Sequence, residues 1–322
     1  MAVAKPIIWS AVALIAVGGV AWLMVDSMSS TTSAFIITGI MRHGTSPQFS
    51  PPAPATPSVT PSVSNSTTPT ALARSGQEAD WRRPEPPRQL AGFYADQGRS
   101  QLRMVTDLEA DPRLPPEIVR FIRAAVEDRS LEEVTRNNMA NCLLIQADHD
   151  PELAALFMRM VDDMRESPTW REYASQYLAG TVAFAPDRAA ITAKMWQLAE
   201  HGDGPITGTA LIQLDLIEQQ GATKLEERYS ALLIHTADDE SKDIPTRMAA
   251  LGLIGQRKDE RALSSARKCA TSTTPSLRRV AIATLGLAGS QGDRPLILAA
   301  LGDKDPSVSL AASAAIKNVR EK

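Results

Sequence analysis

Four histidines stand at positions 43, 149, 201 and 235, and two cysteines at 142 and 269. Imidazoles and thiols are the side chains best suited to hold a transition metal or to attack a carbonyl, provided their separation is right. No two of these histidines share a metal-binding spacing. The stretch "ADHDP" at 147–151 gathers two acids around His149, a composition that suits a hydrophilic turn between helices better than a site. Cys142 has no nucleophile context, and a buried helical thiol is its expected state. There is no Gly-rich phosphate loop, no dinucleotide fingerprint and no Gly-x-Ser-x-Gly elbow. The sequence thus predicts no catalytic residue, no metal, no cofactor and no enzyme.

Charge is the chemistry that remains. Between Arg247 and Arg279 eight basic residues (Arg247, Arg257, Lys258, Arg261, Arg267, Lys268, Arg278, Arg279) face two acids, Asp259 and Glu260. Between Asp107 and Glu172 the balance reverses, with fifteen acids against eight arginines. Such polarity favours charge-guided docking, which governs on-rate and selectivity more than affinity. Arg247, Arg261, Arg267, Lys268, Arg278 and Arg279 are therefore the candidate partner-binding residues. A net charge of −3 over 322 residues does not mark a nucleic-acid binder.

These charges must be carried by some frame, and the sequence is lean in aromatics (5%) while 43% of it is apolar, which favours helices. Ala-x-x-x-Leu/Ile recurs at Ala140/Leu144, Ala174/Leu178, Ala210/Leu214, Ala250/Ile254, Ala281/Leu285 and Ala312/Ile316, at intervals of 34, 36, 40, 31 and 31 residues. Pro168, Pro205, Pro245, Pro275 and Pro306 precede five of the six pairs, where a helix's first turn needs no N–H. Between these helices lie partners with their own stripes, such as Leu153, Leu156, Phe157, Met160, Val161 and Met164, or Leu225, Tyr229, Leu232 and Leu233. Asp187, Asp259 and Asp293 stand in the turns as N-caps. A helical hairpin repeated every 31–40 residues reads as an all-α fold, a right-handed α-solenoid. No such hairpin buries its stripe alone, so the units must stack. Cys142 and Cys269 then lie about four repeats apart, too far for a disulfide, which needs Cα atoms within roughly 7 Å.

The segment "TPSLRRVAIATLG…GDRPLILAALGDKDPSVSLAASAAI" resembles the HEAT-repeat family, in particular its short, phycobilisome-lyase-like variety. The pattern Asp-Pro-x-Val-Arg-x-x-Ala-x-x-x-Leu followed by a Gly-Asp turn is matched best over 275–319 and moderately over 244–270. Over 130–242 only the Ala/Leu skeleton and the prolines match. The resemblance implies stacked hairpins of the HEAT/armadillo kind. It also places Arg247 and Arg278 at the family's internal-ladder position, a structural alternative to docking. Ser309 and Thr207 stand where the pattern has Arg, so no unbroken Arg–Asp ladder is implied.

Ahead of the repeats the chain changes character. Residues 7–25, "IIWSAVALIAVGGVAWLMV", carry no charge. As a helix they would be about 28 Å long, close to the hydrocarbon thickness of a bilayer. Trp9 and Trp22 stand near the two ends, where indoles favour the interface. A cleaved signal peptide has a shorter apolar core, so a retained single-pass signal-anchor is the expectation, with the C-terminal body outside the cytoplasm. Residues 44–89 are dominated by Pro, Ser and Thr and have too few large apolar groups to fold. They form a spacer of roughly 35–40 Å as coil. The expected layout is an N-terminal tail and anchor over 1–26, a juxtamembrane segment and linker over 27–89, capping helices over 90–129 and the solenoid over 130–322.

The final helix, 306–319, has no second helix after it, leaving Leu310 and Ala314 off the stripe. Either this alanine-rich face tolerates water or it meets another chain, which makes a homo-oligomer through the C-terminal helix one expectation. The favoured function is a membrane-anchored scaffold that binds a protein partner on its helical surface. The alternatives are a lyase-like or other enzyme on the same repeats, or a polyanion-binding module using the basic block 247–279.

Overall fold

The computed structural model describes residues 84–320, apart from 96–98, 110, 112, 146–149 and 151. The expected anchor, most of the linker, His43 and His149 lie outside the described residues. Among the described residues no helix is long and apolar enough to cross a membrane. They form thirteen α-helices and no strand.

Helix α1 (Arg99–Glu109) stands alone, and the other twelve form six hairpins. Each has a leading and a trailing helix: α2 (Pro116–Val126) with α3 (Glu133–Ile145), α4 (Leu153–Asp162) with α5 (Pro168–Gly180), and α6 (Arg188–His201) with α7 (Pro205–Gln219). Then come α8 (Glu226–Asp238) with α9 (Ile244–Arg257), α10 (Leu263–Cys269) with α11 (Pro275–Ala288), and α12 (Arg294–Ala300) with α13 (Pro306–Arg320). Every trailing helix packs on the trailing helix before and after it, so the chain is a continuous stack. The predicted skeleton sits on this row: Ala140, Ala174, Ala210, Ala250, Ala281 and Ala312 are all fully buried. Pro168, Pro205, Pro275 and Pro306 open their helices and Pro245 is second in its own, where the missing N–H costs nothing.

The trailing row is drawn together by small residues. A Cβ added at Gly255 would lie 3.2 Å from Thr284 Cα, and one at Gly286 would lie 2.5 Å from Ala315 Cβ. Backbones therefore approach closely there. Thr284 adds a hydrogen bond from its hydroxyl to the Leu251 carbonyl at 2.8 Å.

The leading row is held differently, by ion pairs from one unit to the next. Arg159 meets Glu127 at 3.3 Å, Lys194 meets Asp162 at 2.7 Å, and Arg228 meets Glu200 at 2.5 Å. Lys268 faces Asp238 at 3.9 Å, and Arg267 grips Asp293 at 2.6 Å. The two rows are tied by arginines on trailing helices. Arg136, Arg171 and Arg247 each donate Nε to a carbonyl ten residues back, those of Val126, Val161 and Ala237, at 2.8, 2.8 and 3.0 Å. These bonds satisfy carbonyls in the last turn of the leading helix, which has no intrahelical donor for them.

The two ends differ from the middle. At the start, α1 packs on α3, and Phe93, Tyr94 and Phe121 meet edge to face with ring centroids 5.2–6.1 Å apart. Helix α2 is the leading partner of α3, so the first hairpin begins inside the segment expected to be all cap. Residues Arg88–Leu90, at the expected end of the linker, form a 3-10 turn because Leu90 is drawn into the core. At the other end α13 already has its partner in α12, since each hairpin runs leading helix first. Its outward face is polar where the preceding unit is not. Thirty-one residues after buried Ile282 and tightly packed Gly286 stand Ser313 and Lys317, both exposed. Leu310 is the apolar exception, 66% exposed.

Two of the three expected N-caps hold, and two other local expectations, at Asp293 and Met164, are corrected. Asp187 caps α6 through Ala190 N–H at 2.8 Å, and Asp259 accepts Arg261 N–H at 3.1 Å ahead of a 3-10 turn. Asp293 does not cap α12; it reaches back to Ser290 N–H at 2.9 Å and takes the Arg267 guanidinium. Met164 leaves the α4 stripe and is 71% exposed, because that helix ends at Asp162.

Candidate partner-docking surface

The six candidate residues do not form one free patch. Arg247 is 8% exposed and bonded to Ala237, so it is part of the interior. Arg278 holds Asp303 with two bonds, at 2.7 and 2.8 Å, and also bonds the carbonyls of Ser272 and Thr273. Arg267 is bidentate to Asp293, whose side chain is only 2% exposed. Arg261 is shared among Asp259, Glu227 and Ser230. Lys268 keeps a loose, half-exposed contact with Asp238. Arg279 is half-buried and its Nε has no hydrogen-bond partner.

The carboxylates confirm that these pairs are electrostatically engaged. Hydrogen bonds from Arg278 hold Asp303 at about 2, against an ordinary 3.8, and Arg267 lowers Asp293. Burial raises Asp259, yet bonds from Arg261 and Ser230 outweigh it, and the net shift is downward. At the acidic end the same holds: Arg165 holds Asp163 at about 2. There Glu166 is buried between Arg129 and Arg136, with Arg136 bonded to both its oxygens at 2.8 Å and stacked 4.1 Å over Trp170. Five of the eight cations of the basic block thus pair with carboxylates within the stack.

Two open depressions lie side by side where the middle units meet. The larger, of about 1000 Å³, is bounded by the turn after α7 and the turn after α9. Lys224, Lys258, Glu218, Arg257, Asp259 and Arg261 are among the residues lining it. The smaller, of about 740 Å³, is lined by Ala189, Ala193, Trp196, Ala222 and Arg228 among others, and Thr223 belongs to both.

The wall around them is a bonded network. Arg228 lies 4.3 Å over Trp196 and pairs with Glu200. Trp196 meets Tyr229 edge-on, and Arg257 lies 5.0 Å over Tyr229 while pairing with Asp215 at 2.6 Å and Glu218 at 2.5 Å. Tyr229 donates its hydroxyl to the Leu211 carbonyl at 2.7 Å, and burial pushes its pKa well above normal. Glu218 is raised by burial but pulled below normal overall by Leu225 N–H and Arg257.

Within this wall Lys224 and Lys258 are exposed and meet no carboxylate among the described residues. Lys258 is also the sole non-glycine at positive φ among the described residues, at φ 52° and ψ 40°. Lys224 and Trp196 lie outside the basic block, one in a turn and one in the preceding unit. Composition could not flag them; aligning the unit ends, Gly221 against Lys258, would have singled out Lys258.

Neither thiol is placed for chemistry. Cys142 and Cys269 are both buried, Cys142 donates to the Val105 carbonyl at 3.6 Å, and burial pushes the Cys269 thiol up. Among the described residues no group of three His, Cys, Asp or Glu side chains is arranged to hold a metal.

No protein-family model matches the chain, and no curated protein matches it in sequence. Among solved structures, human deoxyhypusine hydroxylase in complex with glycerol aligns at 17% identity and TM-score 0.27, covering 72% of this chain and 99% of its own. An engineered protein aligns at 14% identity and TM-score 0.27, covering 72% and 95%. Likeness at that level carries no argument, and the helical stack stands on its own geometry.

Proposed function

We propose that this chain is a scaffold: a HEAT-like helical stack, tethered to a membrane by residues 7–25 through the Pro-rich linker, that binds a protein partner on its surface outside the cytoplasm. One observation carries the scaffold reading. Successive hairpins are cross-linked on both rows, by close backbone packing at Gly255 and Gly286 and by ion pairs such as Lys194–Asp162 and Arg267–Asp293. A stack bonded in this way holds its units in fixed register, which is what an extended docking surface requires. The tether is supported by the uncharged apolar run alone. The polyanion alternative loses ground because most guanidiniums of the basic block are already committed to carboxylates of neighbouring turns.

In-cell crosslinking of the tagged full-length protein, followed by affinity capture and mass spectrometry, tests the proposal. One recurrent protein partner from the membrane fraction is the expected result. Capture of lipid or polymer in place of protein would overturn it. Recovery in the soluble fraction with the N-terminus intact would remove the tether.

A further inference from the structure

Arg136, Arg171, Arg247 and Arg278 are each the fourth residue of a trailing helix, yet they end in different surroundings. Arg136 is met by Glu166 from the turn of the next unit, with both bonds at 2.8 Å, and Arg278 by Asp303 at 2.7 and 2.8 Å. Arg171 is half-buried and bonds the Val161 carbonyl. Arg247 is the exception, because it is 8% exposed and pairs with no carboxylate among the described residues. Its Nε goes to the Ala237 carbonyl at 3.0 Å, and its Nη2 meets the Cys269 Sγ at 3.9 Å. Burial raises that thiol, so it stays neutral and gives the guanidinium no counter-charge. The acids of the preceding turn are engaged elsewhere. Asp238 faces Lys268, Asp239 holds Ser241, and Asp243 caps α9 through Thr246 N–H at 2.9 Å. A buried cation left without a partner charge is costly.

The difference lies in the turn after α10. The last two units repeat at 31 residues, so Ser272 stands where Asp303 does and Thr274 where Asp305 does. The backbone follows the same course in both. Thr274 N–H bonds Ser272 Oγ at 3.2 Å, as Asp305 N–H bonds Asp303 Oδ1 at 2.8 Å. Aligned instead on Glu166, which lies two residues before the first residue of α5, the facing residue is Thr273, again a hydroxyl. The helix that follows differs too. Asp305 accepts Ser307 N–H at 2.8 Å in the first turn of α13, whereas Thr274 gives α11 no side-chain cap. The turn therefore offers hydroxyls and uncapped first-turn amides where its neighbour has two carboxylates. Each of these groups, like the guanidinium behind them, donates to negatively charged oxygen.

From this substitution of hydroxyls for acids beside a buried arginine, we infer that the turn at 270–274, backed by Arg247, is an oxyanion-binding site. It takes a carboxylate or phosphate group in the place that Asp303 fills for Arg278. The guanidinium supplies the charge, while Ser272, Thr273 and the first amides of α11 supply hydrogen bonds. Lys268, half-exposed at the end of α10, stands at its margin. The group is either a free ion or an acidic side chain of a partner, and the inference does not depend on the scaffold reading.

The test heats the full-length chain in detergent micelles, in inorganic phosphate and in chloride of equal ionic strength. Phosphate is expected to raise the melting temperature above its value in chloride, and calorimetry to give one site. Ser272→Asp supplies the carboxylate from within the chain. It should melt higher than the parent without phosphate and bind phosphate at least tenfold more weakly. Ser264→Asp, at an exposed position on α10, should leave the affinity within twofold. Asp303→Ser makes the converse change beside Arg278, and should melt lower and gain a second phosphate site. No phosphate effect beyond that of chloride, or an undiminished one in Ser272→Asp, would overturn the inference. Capture in cells then separates the sources. Loss of the partner in Ser272→Asp assigns the oxyanion to the partner's side chain, and unchanged capture assigns it to a free ion. A phosphate response with no captured partner in the parent would remove the scaffold and leave this site standing.

Discussion

The two rows of the stack solve the same problem with different physics. Trailing helices meet through glycine, alanine and threonine at backbone distance, with Gly286 against Ala315 the tightest case. Leading helices meet through long charged side chains, with Lys194–Asp162 and Arg228–Glu200 as examples. Close packing of buried small residues is intolerant of volume and indifferent to salt. Half-exposed ion pairs are the reverse, since each is worth little and is screened. The trailing row therefore sets the spacing of the units, and the leading row is the compliant side.

Breaking the tie between the rows should have the largest effect. Arg136→Ala removes a buried guanidinium from Glu166 and Val126, with side-chain exposures of 3% and 5% for the charged pair. We expect a loss of about 3–5 kcal/mol in denaturant unfolding. Gly286→Ala comes next, because its methyl would sit 2.5 Å from Ala315 Cβ and 2.7 Å from its Cα. Overpacking against backbone should cost about 1–3 kcal/mol. A Ser313→Ala control, on the exposed continuation of the same row, should stay within about 0.5 kcal/mol.

Acid titration probes the ion pairs as a set. Asp163 and Asp303 are held at about 2 by Arg165 and Arg278, and Asp293 is lowered by Arg267. Folded values below the unfolded ones contribute stability that is complete above the unfolded pKa and vanishes as pH falls through the folded one. Thermal stability should therefore hold down to roughly pH 5 and fall between about pH 4 and pH 2. Hydrogen exchange in that window should rise in α10 and α12 before α11; equal loss in both rows would erase the distinction. Lys258→Gly should stabilise by about 1 kcal/mol through relief of its left-handed backbone. Smallest of all, Lys194→Ala should cost at most about 0.5 kcal/mol, with the remainder disappearing in high salt.

Much of this frame was legible in the sequence. The trailing row announced itself because its requirements are local: a proline to open the helix, alanine where the backbones close in, leucine or isoleucine four residues on. The arginine ladder is broken at Thr207, whose hydroxyl bonds the Gly202 carbonyl at 2.7 Å. What the sequence hid was the fate of the charges. Arg267 and Asp293 are 26 residues apart, and Arg257 and Asp215 are 42 apart. A count of basic residues along the chain treats as free what a neighbouring unit has already neutralised. Arg267 and Arg278 read as a docking surface for that reason, and a charge reversal at Arg267 would confront buried Asp293 before it affected any partner. Lys224 stands alone in a turn outside the basic block, and the positive φ of Lys258 shows itself only when the unit ends are superposed.

The polar outward face of α13 bears on how long such a chain can become. A stack whose last unit matched its inner ones would present Ile282- and Gly286-like residues outward, a surface on which another hairpin could seat. Lys317 and Ser313 stand at those places, and at the opposite end α1 and the aromatic cluster around Phe93 cover the first unit. A tip so lined offers another hairpin less apolar surface than the inner units offer one another.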